Sequence, residues 1–126
     1  MEIVINPAKV GDEMSKCVDY ILDGNWTEAK QEAAIALEEA FVNVCLHAYP
    51  EGEAGTIRIN IEQNEEQIVM DIWDTGIEYD PATTPLKEIE EGQIGGHGIR
   101  LMRAYCELVY KREGNVNHLT MIKKLN

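Results

Sequence analysis

Residues 56–63 alternate Ile57, Ile59 and Ile61 with Arg58, Asn60 and Glu62, the pattern of a strand with one face buried and the other in water. Asn64 and Glu65 make a short turn, and residues 68–73 return as the second arm of a hairpin. A sheet that is apolar on one side must be covered there by another layer. Two helical stretches upstream can supply the cover. Asn6 and Pro7 suit a cap and first turn, after which Val10, Met14, Cys17, Val18, Ile21 and Leu22 recur at helical spacing until Gly24. Thr27 caps a second helix whose core face reads Ala34, Leu37, Phe41, Val44 and Ala48, and Pro50 ends it.

Glu2–Ile5 has the character of a short strand, and residues 51–55 form a turn. Residues 74–98 carry glycines and prolines with little periodicity and read as a long loop, a feature usually tied to function. Residues 99–106 read as a helix. Residues 108–111 and 118–122 read as strands joined by the Gly114-Asn115 turn. This order predicts an α+β fold: a two-layer α/β sandwich with helices on one face of a mixed, mostly antiparallel sheet, formed by residues 1–126 as a single domain.

Composition narrows the function classes. A chain of 126 residues that is 44% hydrophobic and 27% charged can build one real core. The net charge of −12 leaves no basic stripe for nucleic acid. Cys17, Cys45 and Cys106 lie far apart with no CxxC pair, so reduced thiols are expected, not a disulfide framework or a zinc site. The first residues lack a basic n-region and no run is long and apolar enough to span a membrane, so the expected location is the cytoplasm.

Three stretches could carry chemistry. Glu39 and Asn43, four residues apart, share a helix face distinct from that of Leu37 and Phe41. A carboxylate can orient a nucleophile and an amide oxygen can ligate Mg²⁺, although the same pair also occurs on plain solvated faces. Asp74-Thr75-Gly76 closes an apolar strand: the carboxylate can accept from an exocyclic amine and the glycine admits a flat ring, or the three residues merely end the strand. Residues 92–98, Gly-Gln-Ile-Gly-Gly-His-Gly, run into a helix, whose N-terminal N–H groups favour phosphate. No Gly-Lys-Ser/Thr follows, and a loop, not a strand, precedes, so this is neither a P-loop nor a Rossmann fingerprint.

Together these motifs resemble the GHKL (Bergerat-fold) ATPases over essentially the whole chain. Residues 38–49, ending Asn-x-x-x-His-Ala-Tyr, resemble the family's N box, and in particular its anti-sigma factor serine/threonine kinase branch. Asp74-Thr75-Gly76 with Tyr79-Asp80-Pro81 resembles the adenine box, and Gly95-Gly96-His97-Gly98-Ile99-Arg100 the second glycine box. The resemblance implies ATP and Mg²⁺ as cofactors, with Glu39 as catalytic base and Asn43 as metal ligand. It implies Asp74 and Gly76 at adenine, and Gly95, Gly96 and Gly98 around the phosphates, with His47, His97 and Ile99 also at the nucleotide. The implied reaction passes the γ-phosphate to a serine or threonine of a STAS-domain anti-anti-sigma partner. A sigma factor is a further partner in this branch, and a homodimer built on residues 1–5 and the first helix fits the resemblance.

The chain departs from the family pattern at His97 and Arg100, where apolar side chains are common, and in residues 81–94, which hold Lys87 but no arginine. The missing arginine keeps open a non-catalytic, ATP-dependent protein-binding module. His47 also reads as a structural helix-end residue, and Trp26 and Trp73 as core or interface aromatics.

Overall fold

A computed structural model describes residues 1–5, 10–48, 55–86 and 97–125. The elements are β1 (Glu2–Ile5), α1 (Val10–Leu22), α2 (Glu28–Asn43), β2 (Ile57–Gln63), β3 (Gln67–Asp74), α3 (Gly98–Tyr105), β4 (Glu107–Glu113) and β5 (Val116–Lys124). A π-helical turn, Val44–Ala48, extends α2. The five strands form one sheet in the order β1-β2-β3-β5-β4. Every described pairing is antiparallel, so the expected mixed sheet has no parallel neighbour among the described residues.

The alternation in β2 does what its spacing requires. Ile57, Ile59 and Ile61 are fully buried, as are Ile68 and Met70 of β3 and Met121 of β5. The helices α1 and α2 cover this face with Cys17, Ile21, Ala33, Leu37, Ala40 and Phe41, and Met102 of α3 completes the core. Thr27 caps α2: its backbone is extended (φ −135°, ψ 157°) and its Oγ1 accepts from Lys30 N at 3.2 Å, which satisfies a donor the first turn leaves open. The side chain of Asn64 closes the β2–β3 turn by accepting from Glu66 N and Gln67 N. Gly114 turns the β4–β5 hairpin at φ +60°, a left-handed conformation suited to glycine.

One expectation changes and one is narrowed. The last two strands are longer than the apolar pattern suggests, because their ends carry Glu107, Arg112, Glu113 and Asn117. Trp26 is 63% exposed and belongs to no core, whereas Trp73 is half-buried on the open sheet face, stacked on His118 at 4.5 Å and covered by the Arg58 guanidinium at 4.2 Å. The Asn6 cap, Pro7, Pro50 and residues 51–54 of the expected turn lie outside the described residues.

Candidate nucleotide site

α2, the β3 exit and the head of α3 come together around the site. α2 contributes Glu39 and Asn43 one turn apart. α3 begins at Gly98, whose missing side chain matters: a Cβ there would lie 2.8 Å from Glu39 Oε2. A side chain there would have to push the carboxylate aside for the head of α3 to keep its place. A cleft of about 550 Å³ opens here, walled by Glu39, Asn43 and His47 on one side and by His97, Gly98, Ile99 and Arg100 on the other, with Tyr79 and Thr84–Leu86 at its margin.

A narrower recess leads from the cleft toward the sheet, lined by Asn43, Val44, Asp74, Tyr79 and Asn117. Asn43 and Tyr79 border both hollows, so Asp74 and Glu39 lie in adjoining recesses on either side of these two residues. Asp74 is 5% exposed, because it stands in the inward-facing row that Ile68, Met70 and Ile72 begin. Its Oδ1 accepts from Gly76 N at 2.9 Å and from Asn117 Nδ2 at 2.8 Å. Gly76 lies on the turn leaving β3 and lines neither hollow.

His47 does not simply end a helix. The π-helical turn carries it to Tyr79, and the two rings stack at 4.6 Å with planes 7° apart. Irregular turns of this kind are frequent at functional sites. Arg103 reaches back from α3 to donate to the carbonyls of Pro81 and Thr84, tying down the turn at residues 81–84. Cys45 sits half-buried nearby, its thiol pKa raised by burial and then by the Asp74 charge. Gly95 and Gly96 lie outside the described residues.

Sequence patterns did not single out Asn117, Tyr110 or Arg112. Asn117 is 3% exposed and, with Asp74, one of two buried polar residues among the described residues. A signal was present: position 117 falls in the inward row with Leu119 and Met121, and a polar residue there must find partners.

Residues 23–123 match the profile of the histidine kinase-like ATPase domain. The chain belongs to that family. This histidine kinase-like ATPase domain is similar to the serine/threonine-protein kinase BtrW of Bordetella bronchiseptica, at 35% identity over 92 residues, covering 69% of this chain and 65% of the relative. It is similar also to the anti-sigma F factor of Clostridium beijerinckii, at 31% identity over 100 residues, covering 72% and 68%. The domain thus spans about two thirds of the length of these curated relatives. Membership in an ATPase family implies that the domain binds ATP. No helix among the described residues is long and apolar enough to cross a membrane.

Proposed function

We propose that residues 1–126 act as one domain, an ATP-dependent protein serine/threonine kinase of the anti-sigma regulatory type, working in the cytoplasm. The observation that carries the reading is the contact between Glu39 and Gly98, because it sets a carboxylate against the helix head where a triphosphate would end. Asp74 would accept from the adenine amine, and Gly95, Gly96 and Gly98 would present backbone N–H groups to the phosphates. Arg100, which lines the cleft with His97, would supply a positive side chain where residues 81–94 offer only Lys87.

The donor set suits Mg²⁺ carried in by the nucleotide. No cluster of three acidic, histidine or cysteine side chains able to hold a metal exists among the described residues, and Mg²⁺ characteristically takes one or two protein oxygens plus substrate phosphates. Asn43 would offer that oxygen, and the bound ion would neutralise phosphate charge. The Glu39 carboxylate would take the proton of the acceptor hydroxyl as its oxygen bonds to the γ-phosphorus. The bond from that phosphorus to the β–γ bridging oxygen breaks, releasing ADP.

The names of the two relatives support a Ser/Thr acceptor and an anti-sigma role. The proposed acceptor is a serine or threonine on a STAS-domain anti-anti-sigma protein, with a sigma factor as a second partner and a homodimer as the assembled state. Labelled ATP and candidate STAS proteins provide the test. Label on the partner supports the kinase. Retention of nucleotide with no label on any partner sinks it and leaves a nucleotide-gated binding module.

A further inference from the structure

Asn117 is joined to its surroundings by five hydrogen bonds. Its Nδ2 donates to Asp74 Oδ1 and to Ile77 O, each at 2.8 Å, with Gly76 O at 3.3 Å sharing one of the two hydrogens. Its Oδ1 accepts from Arg112 Nη1 at 2.8 Å and from the Tyr110 hydroxyl. Burial raises the Tyr110 pKa, which keeps that phenol a donor. Arg112 Nη1 also donates to Gly76 O at 3.0 Å. The strand register makes this possible, since Asn117 lies directly opposite Asp74 on one side and Arg112 on the other.

Two consequences follow from counting donors and acceptors. The amide orientation is forced: a flip would set its oxygen against three oxygens and its NH₂ against the Arg112 guanidinium. The amide is also saturated, with both hydrogens and both lone pairs engaged, so it has nothing left to offer a ligand. It can act only through what it holds. What it holds is Asp74 Oδ1, whose remaining acceptor position Gly76 N fills.

We infer that Asn117, locked by Tyr110 and Arg112, is a positioning residue that sets base selectivity by occupying Asp74 Oδ1 and holding the carboxylate in place, so that Oδ2 meets the base directly as an acceptor. Such an edge pairs with the 6-amino donor of adenine and opposes the 6-oxo acceptor of guanine, and an unmatched polar pair in a buried site is strongly disfavoured. This rests on the nucleotide reading of the cleft above. Without the lock the carboxylate can swing out of line with the base, and a water admitted between them can donate as well as accept, which erases the preference.

The test compares binding of Mg-ATP and Mg-GTP to the wild-type protein, Asn117→Ala and Tyr110→Phe, with folding monitored by circular dichroism. The expected ratio of ATP to GTP affinity falls about tenfold in Asn117→Ala and about threefold in Tyr110→Phe, the scale of one buried hydrogen bond. A residue that was only structural would lower both affinities together and leave the ratio unchanged, and that result overturns the inference. Should Asn117→Ala fail to fold, Tyr110→Phe, which removes a single oxygen, decides by the same ratio. A wild-type protein that binds neither nucleotide refutes the nucleotide reading itself. One that prefers ATP while both variants keep that preference refutes only the role given to Asn117.

Discussion

At the scale of single residues, the site turns on short contacts that make distinct failures expected. Glu39→Ala should keep nucleotide binding and lower phosphoryl transfer by about 10²–10⁴-fold, the usual contribution of a positioned base; single-turnover assays separate the two. Asn43→Ala should lose metal-dependent binding, read by titrating ATP with and without Mg²⁺, and unchanged binding would place the metal elsewhere. Gly98→Ala is the sharpest case. Its new methyl group would collide with Glu39 Oε2, the far end of a flexible side chain, so the carboxylate moves and the fold survives. Transfer should then fall at least tenfold while melting temperature changes little. Glu39, Asn43 and Asp74 were legible in sequence because motif order marked them. Asn117 was not, because its role depends on strand register with a residue 43 positions away, which no local pattern encodes.

At the scale of elements, α2 both roofs the core and holds the acid and the amide, so its stability and its function are joined. Thr27→Ala should remove the cap bond and lower stability by about 1 kcal/mol, or about 4 °C in Tm for a domain of this size. Thermal melts followed by circular dichroism would measure it. The β2–β3 hairpin and both long helices were readable because period and capping residues agreed. The outer ends of β4 and β5 were not, since Glu107, Arg112 and Glu113 sit in a ladder whose hydrogen bonds need no apolar side chain. The π-helical turn was equally hidden. Nothing in Val-Cys-Leu-His-Ala distinguishes it from one more α-helical turn, and the His47–Tyr79 stack arises from tertiary contact.

For the whole molecule, the core contains two titratable groups that only strong base can reach. Burial pushes the Cys17 and Cys106 thiols up to about 11 from an ordinary 9. The folded state therefore holds protons that the unfolded chain releases first, so this stabilisation is complete below about pH 9 and disappears as pH rises through 11. Denaturant midpoints should decline across that window. A Cys17→Ala, Cys106→Ala double variant should show a flatter decline even though its smaller side chains lower the starting stability. The same burial makes both thiols poor nucleophiles toward alkylating reagents at neutral pH.

The strand order leaves β1 and β4 at the margins of the sheet. The first is only four residues long, and the second sets Glu107, Lys111, Arg112 and Glu113 along its length. Short or charge-laden margins discourage another chain from adding its own backbone as an extra strand. Docking through side chains is favoured here over backbone addition, and crowded solutions of the domain should resist growth into fibres.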